Sequence, residues 1–257
     1  MTGVAVIMEA AAYCYPDGRV GLHPLSVTFP AGQCTAVIGP NGSGKSTLLG
    51  LLNGIRLPQA GRVRVGDLTV GRECLPEVRR IVGLVFQDPD WQLFCPTVGE
   101  DVAFGPLNLG LAPAEARARA EATLARVGLA GMAGRSPFHL SGGEKKLVSL
   151  ATVLAMEPPV LALDEPTAGL DAGHRRLLAE LVRAHPGTRI LATHDLDFAM
   201  DTAHHACLLS AGTLAAAGPA DELLRDAALL HRHGLDLPLR LQGPGAAAPR
   251  SSGQAAF

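Results

Sequence analysis

The sequence from residue 39 reads Gly39-Pro40-Asn41-Gly42-Ser43-Gly44-Lys45-Ser46-Thr47, a Gly-x-x-x-x-Gly-Lys-Ser pattern between two apolar segments. Residues 33–38 predict a buried strand, and the leucines of 48–52 predict a helix ending at Gly54. A glycine-rich loop in this context presents backbone N–H groups to an anion at the positive end of the helix dipole. Lys45 adds a charge for the β- and γ-phosphates, and the Ser46 hydroxyl can bind Mg²⁺. The stretch therefore predicts a nucleotide-binding P-loop.

Composition limits the classes of protein that fit. The 257 residues are 47% hydrophobic, enough for one α/β domain with an inserted subdomain and a tail. A net charge of -2 with scattered basic residues argues against nucleic acid as a partner. Five cysteines without a Cys-x-x-Cys pair argue against disulfides or a zinc site and fit a reducing cytoplasm. The N-terminus lacks a signal-peptide pattern, and the longest apolar stretch, 147–163, is interrupted at 157–159. We therefore expect any membrane role to be peripheral.

The first 86 residues predict mainly strands. Residues 1–32 alternate apolar positions around a turn at 15–18, which indicates a small β layer. Tyr15 beside that turn fits either a packed core aromatic, the commoner case, or a base-stacking residue. Residues 62–67 and 81–86 predict further strands, the second ending at Gln87. A polar Gln there fits a ligand site at the carboxyl end of a sheet and, equally, an ordinary strand cap.

The middle of the chain predicts helices, and acids follow the next strand. Residues 112–127 and 142–156 have helical patterns, and Ser141 before two glycines is a capped helix start, in itself a common device. The apolar run 160–163 delivers Asp164 and Glu165 to a strand end, where they could hold Mg²⁺ and polarise a water, or simply face solvent. The strand 189–193 ends in His194, and a histidine so placed is more often structural than catalytic.

The C-terminal region predicts two short strands, a helix from about 219 to 233, and a disordered tail at 241–257 rich in Gly, Ala, Pro and Ser. The pairs His204-His205 and His231-x-His233 lack the spacing of two ligands on one helix face. We therefore do not expect metal binding there.

The order of these motifs resembles the nucleotide-binding subunit of ABC transporters over residues 3–240. The elements are the P-loop at 39–47, Gln87, Leu-Ser-Gly-Gly-Glu at 140–144, the acids at 164–165, Ala-Gly-Leu-Asp at 168–171, and His194. The resemblance implies an α/β fold: a P-loop NTPase core, an N-terminal antiparallel β layer and an inserted helical subdomain at about 90–156, all within an ATP-binding domain at 1–240. It also implies ATP and Mg²⁺ as the bound species.

The resemblance assigns a role to each matching residue. Glu165 is implied as the general base, with Gln87, Lys45 and the switch residue His194 as the other catalytic residues. Ser46, Gln87 and Asp164 are implied to hold Mg²⁺. The residues implied to contact nucleotide are Tyr15 at adenine, Gly39, Asn41, Gly42, Ser43, Gly44, Lys45, Ser46, Thr47, and Ser141, Gly142, Gly143 and Asp171 from a second subunit's face.

A narrower resemblance covers residues 86–110, which are similar to the ATPases of energy-coupling factor importers, and most similar to the cobalt type. Trp91 and Leu147 depart from that pattern. The resemblance makes Trp91, Leu93 and Phe94 candidate contacts with a membrane partner. The resemblance implies a homodimer on the cytoplasmic face of the membrane, bound to a transmembrane coupling subunit and a substrate-binding membrane subunit. Nickel or a vitamin is the alternative substrate. A DNA-repair ATPase fits less well, because residues 45 and 141 are only 96 positions apart, with no heptad run between them.

Overall fold

Short, mainly apolar strands form the central sheet of the computed structural model, which describes residues 3–242. The sheet has the order β10-β9-β3-β8-β7-β6, with parallel pairing from β9 to β6 and an antiparallel edge strand β10. The strands of the chain are β1 Val6–Cys14, β2 Val20–Phe29, β3 Cys34–Ile38, β4 Ala60–Val65, β5 Leu68–Thr69, β6 Val82–Val85, β7 Val160–Asp164, β8 Thr188–Thr193, β9 His205–Ser210 and β10 Thr213–Pro219. Every residue of β3, β7 and β8 is buried, as expected for parallel strands covered on both faces.

A second, antiparallel sheet has the order β2-β1-β4-β5. The helices of the chain are α1 Lys45–Leu52, α2 Leu75–Ile81, α3 Val98–Asn108, α4 Pro113–Arg126, α5 Gly142–Leu154, α6 Ala172–Ala184, α7 Leu196–Thr202, α8 Ala220–Leu223 and α9 Ala227–Arg232. Helix α1 lies between the two sheets, and its leucines share one apolar cluster with Val6, Val63 and Ile190. A helix buried all round has little need of a polar face, which explains the run of leucines after the P-loop. The predicted α/β fold with an N-terminal antiparallel layer is confirmed.

Helices α3, α4 and α5 pack on one another and join a second apolar cluster with β6, β7 and β8. Two of these helices begin with reciprocal capping boxes, Thr97 with Glu100 in α3 and Ser141 with Glu144 in α5. The predicted helices at 112–127 and 142–156 correspond to α4 and α5. Residues 90–156 therefore contain this helical layer, which packs against β6, β7 and β8 of the central sheet.

One predicted helix is wrong in its extent. The single helix expected from about 219 to 233 is two short helices, α8 and α9. Asp226 interrupts it, because its side chain accepts a hydrogen bond from the Leu229 N–H at 2.9 Å and caps a new helix start. The predicted tail at 241–257 lies outside the described residues from 243 onward, and Leu241 still ends a short 3₁₀ turn.

The last described residues fold back onto α7. Arg240 forms ion pairs with Asp197 at 3.0 Å and Asp201 at 2.7 Å, and the Leu239 N–H donates to Asp197 at 2.8 Å. Desolvation acts against the charge on Asp197, but the bonds from Leu239 and Arg240 prevail and lower the pKa of that carboxyl. Across residues 3–242, none of the helices combines the length and apolar character needed to cross a membrane.

His185, between α6 and β8, provides a test of this packing. It is 8% exposed, and burial, reinforced by the Arg189 charge, lowers its pKa from 6.5 to about 4. Since the folded-state pKa lies below the unfolded one, the unfolded chain takes up the proton first as the pH falls. The stability that His185 contributes is therefore complete above pH ~6.5 and is lost as the pH falls towards about 4.

We expect the free energy of unfolding to fall between pH 7 and pH 5 by about 2 kcal/mol more in the natural chain than in His185→Gln. Urea unfolding of both proteins at the two pH values measures this difference, and the variant corrects for the carboxylates that titrate in both chains. Equal pH dependence in the two proteins would contradict the buried, neutral histidine.

Candidate functional site

The loop between β3 and α1 turns back on itself through residues with positive φ. Gly44 has φ 105°, and a Cβ there would lie 2.7 Å from the Gly21 carbonyl oxygen, so only glycine fits. Gly39 has φ 154°, and a Cβ there would lie 2.3 Å from the Leu209 carbonyl oxygen. The loop therefore closes tightly over the first turn of α1, where the free N–H groups of the helix can bind an anion.

Lys45, at the start of α1, is 6% exposed. Its ammonium donates hydrogen bonds to the carbonyl oxygens of Gly39 at 2.8 Å and Pro40 at 3.2 Å. It also forms an ion pair with Glu165 Oε1 at 3.4 Å. A buried ammonium needs such partners because desolvation disfavours its charge. The same ammonium points into the loop.

Glu165 follows β7 in a left-handed conformation with φ 43°, which is strained for a residue other than glycine. Its Oε2 accepts a hydrogen bond from the His194 backbone N–H at 3.3 Å and lies 2.9 Å from His194 Nδ1. Glu165 is 4% exposed. The carboxylate thus bridges Lys45, at the start of α1, and His194, which follows β8.

Asp164, the last residue of β7, fits a cation ligand. Burial chiefly raises the pKa of this carboxyl, and a hydrogen bond with the Ser46 side chain opposes the shift. Its buried Oδ1 has no hydrogen-bond partner among residues 3–242. A buried, unsatisfied carboxylate oxygen beside a serine hydroxyl is the oxygen donor set that Mg²⁺ prefers. The residues therefore fit a magnesium ion.

A cavity of about 400 Å³ lies in front of these groups. Most of the predicted nucleotide and catalytic residues line it: Tyr15, Asn41, Gly42, Gly44, Lys45, Ser46, Thr47, Gln87, Glu165 and His194. Gly39 and Ser43 lie within the loop beneath the cavity. Tyr15 supplies the aromatic part of the lining, and its hydroxyl is hydrogen bonded to Thr47 Oγ1 at 2.7 Å. The site thus has a phosphate end and an aromatic end.

Four predicted residues lie elsewhere. Ser141, Gly142, Gly143 and Asp171 do not line this cavity. They meet on another face, because a Cβ on Gly143 would lie 3.5 Å from His174, whose Nδ1 is 2.9 Å from Asp171. The first-turn N–H groups of Gly142 and Gly143 have no partner within a helix and can bind an anion. A single chain therefore carries two separate groups of these residues, the cavity and the start of α5, which are called half-sites below.

The segment after Gln87 is fastened to α5. The buried Lys146 ammonium donates to the Gln87 carbonyl oxygen, and its burial lowers its pKa. The Gln92 amide donates to the Ser149 carbonyl oxygen at 2.8 Å and the Thr152 hydroxyl at 2.7 Å. The segment between the cavity and the helical layer is thus tied to the helix that begins at Ser141.

The sequence reasoning missed three residues lining the cavity, Arg19, Val20 and Gly21. The sequence feature that could have identified them is their position at the start of the strand that follows the turn at Tyr15. One expectation about the neighbouring surface is also wrong: Leu93 had been a candidate partner contact but is 6% exposed and belongs to the core. Trp91 and Phe94 beside it are 77% and 63% exposed.

The chain is similar to ATP-binding proteins of known transporters. Residues 22–168 match the family described as ABC transporter. The cobalt import ATP-binding protein CbiO of Rhodobacter capsulatus is 46% identical over 259 residues, covering 95% of this chain and 92% of the relative. The nickel import ATP-binding protein NikO of the same organism is 46% identical, covering 88% and 93%. An energy-coupling factor ATP-binding protein, EcfA of Methanothermobacter thermautotrophicus, is also 46% identical, covering 88% and 75%.

Solved structures of ATP-binding proteins are also similar to this chain. The structure of cbiO1 from Clostridium perfringens, described as part of the complex cbiONQ, is 36% identical with a TM-score of 0.75, covering 88% of this chain and 93% of that one. A dimeric ATP-binding cassette, MJ0796, bound to ADP and phosphate, is 26% identical with a TM-score of 0.76, covering 84% and 98%.

We expect Lys45→Ala to lower the affinity for a nucleoside triphosphate by at least about 100-fold, because a buried charge that meets the phosphates is lost. Titration with a fluorescent nucleotide measures the affinity. Arg225→Ala is the control, since it removes an exposed cation paired with Asp221 far from the cavity. Unchanged affinity in Lys45→Ala would contradict the role of this loop.

Proposed function

The chain belongs to the ABC transporter ATPase family, and we propose that its ATP hydrolysis powers an energy-coupling factor importer whose substrate is the cobalt ion. The observation that carries the proposal is the 46% identity to a cobalt import ATP-binding protein over nearly the whole of both chains. The chain itself is an ATPase. Cobalt is the finer part of the proposal.

Nickel is the competing substrate, because a nickel import ATP-binding protein is equally identical to this chain. The ATPase of an importer binds nucleotide and membrane partners, and the transported substrate binds elsewhere. Cobalt is preferred because the cobalt relative is similar over a larger share of this chain, 95% against 88%. A vitamin is the remaining alternative from the energy-coupling factor resemblance.

The residues around the cavity supply a mechanism for hydrolysis. We propose that ATP binds with its phosphates in the loop 39–44 and its adenine on Tyr15. Lys45 then exchanges Glu165 for phosphate oxygens, which frees that carboxylate to accept a proton from water as the general base. His194, hydrogen bonded to Glu165, holds the carboxylate in position.

Ser46, Asp164 and Gln87 are the proposed ligands of Mg²⁺. The ion would neutralise charge on the phosphates. Asp164 brings a buried oxygen without a hydrogen-bond partner among residues 3–242, and Ser46 brings the hydroxyl bonded to that carboxylate. Gln87 is exposed at the end of β6 and lines the same cavity, so it can reach the ion as the site closes.

The two half-sites support a homodimer. We propose that ATP bound at one P-loop contacts Ser141, Gly142 and Gly143 of a second copy, with Asp171 beside them. All the motifs are serviceable in this one sequence, so two identical chains make two equivalent sites. An isologous arrangement of this kind is the commonest oligomer symmetry.

An exposed aromatic surface is the proposed contact with a transmembrane coupling subunit at the cytoplasmic face of the membrane. Phe94 and Phe104 pack edge to face at 5.0 Å, and Phe104 and Leu107 line a groove of about 690 Å³ between α3 and α4. Phe104 and Leu107 are 46% and 43% exposed. Exposed apolar side chains grouped beside a groove indicate an interaction surface, here suited to an apolar helix. A substrate-binding membrane subunit would complete the transporter.

The function is tested by reconstituting the chain in proteoliposomes with its own membrane subunits, identified by co-purification. We expect ATP-dependent uptake of radioactive Co²⁺ that exceeds uptake of Ni²⁺. Phe94→Asp should keep the ATPase activity of the isolated chain and lose both co-purification and uptake, because it places a charge on the apolar surface. Preferred Ni²⁺ uptake, or uptake of neither ion, would overturn the cobalt proposal.

Mixing two inactive variants tests the paired sites. Lys45→Ala removes a P-loop charge, and Ser141→Arg blocks the exposed start of α5. In a mixed dimer one site carries both changes, while the other has an intact Lys45 and an intact Ser141. Since random pairing makes about half of the dimers mixed, we expect the mixture to regain hydrolysis that neither variant shows alone. ATP-dependent crosslinking of the two variants is the second readout, and failure of both contradicts the homodimer.

A further inference from the structure

Tyr15 is fixed from several sides. Its hydroxyl is bonded to Thr47, and Tyr13 packs against it edge-on with ring centroids 5.1 Å apart. Gly21 allows this position, because a Cβ there would lie 2.8 Å from Tyr15 Cε2. The ring is therefore an immobile platform at the aromatic end of the cavity.

Two guanidinium groups lie near that platform. Arg56 Cζ is 5.3 Å from the Tyr15 ring centroid, and its side chain also lies against α1, since a Cβ on Gly50 would meet the guanidinium at 2.6 Å. Arg19 Cζ is closer, 4.5 Å from the same centroid. Arg19 lines the cavity and Arg56 does not, so Arg19 covers the side of the ring that faces the nucleotide site.

The turn that carries Tyr15 also carries Arg19. The Tyr15 N–H donates to the Arg19 carbonyl oxygen at 2.8 Å, and the Arg19 N–H donates to Asp17 Oδ1 at 3.0 Å. The backbones of the two residues are thus held at a fixed separation. The Arg19 side chain is exposed and long, so its guanidinium can move outward by the thickness of a base, about 3.5 Å, without any change in the turn.

We propose that Arg19 is a second base-contacting residue, whose guanidinium lies over the outer face of the base while Tyr15 supports the inner face. This inference rests on the adenine position proposed above. A planar guanidinium stacks on aromatic faces, and a base has a π-face on both sides. The contact with Tyr15 in the free chain is then replaced by a contact with the base, and the base becomes shielded from water. Such a contact favours nucleotides over phosphate compounds without a base.

The test compares KM, kcat and the inhibition constant of inorganic tripolyphosphate in variants. We expect Arg19→Ala to raise the KM for ATP and for GTP by about 5-fold with kcat unchanged, the size of a partly desolvated cation–π contact. Arg19→Lys should fall in between, since it keeps the charge and loses the planar group. The inhibition constant of tripolyphosphate should not change. Arg62→Ala, which removes an exposed cation paired with Glu9 on the neighbouring strand, is the matched control.

Each other outcome is decisive. An unchanged or lower KM in Arg19→Ala would mean that Arg19 only covers Tyr15 in the free chain, and would overturn the inference. Equal weakening of tripolyphosphate would assign Arg19 to the phosphates instead of the base. Tyr15→Ala separates this inference from the proposed site. If Tyr15→Ala leaves KM unchanged, the proposed adenine position itself is wrong. If Tyr15→Ala raises KM and Arg19→Ala does not, only the role of Arg19 is overturned.

Discussion

The buried ammonium of Lys45 constrains the whole site. A charge held away from water destabilises the fold by several kcal/mol unless fixed partners compensate it. Those partners are two loop carbonyl oxygens and Glu165, which serves as the counterion of Lys45. A triphosphate offers the same ammonium stronger partners. In the proposed mechanism this pair of charges links triphosphate binding to release of the carboxylate, and the order β3-β8-β7 in the sheet makes the pair possible.

The sequence predicts the strands and polar residues of this site better than it predicts the contacts between them. Each apolar run that ends in a polar residue, such as 160–163 before Asp164, forms a parallel strand, because continuous burial leaves a clear pattern. The ion pair between Lys45 and Glu165 depends on strand order, which no local pattern contains. The break at Asp226 and the burial of Leu93 were missed for a related reason: a helix cap and a core position look like ordinary polar and apolar residues until their neighbours are known. Helices α2, α3, α6 and α7 were likewise not predicted individually.

Helix α5 connects regions that the motifs describe separately. Its N-terminus carries Ser141, and its side accepts the Gln92 amide and supplies the buried Lys146 to the Gln87 carbonyl oxygen. A shift of α5 therefore displaces the segment from Gln87 to Gln92, which leads directly to the exposed aromatic surface. The proposed contact of Ser141 with a second copy and the proposed contact of Phe94 with a membrane subunit would then be joined through α5 and the segment bonded to it, and packed elements of this kind move as units.

Strand β3 lies between β8 and β9 in the middle of the central sheet. Its residues Thr35 and Ile38 pair with Ile190 and Thr193 on one side and with His205 and Leu208 on the other. During synthesis on the ribosome, more than 150 further residues must therefore be added after the strand that leads into the P-loop before either neighbouring strand exists. Pairing over such separations is slow and leaves apolar edges exposed in the meantime. A nascent chain that stops before residue 188 therefore has a complete P-loop motif but an unpaired central strand. Such a chain is a substrate for chaperones and does not yet bind nucleotide.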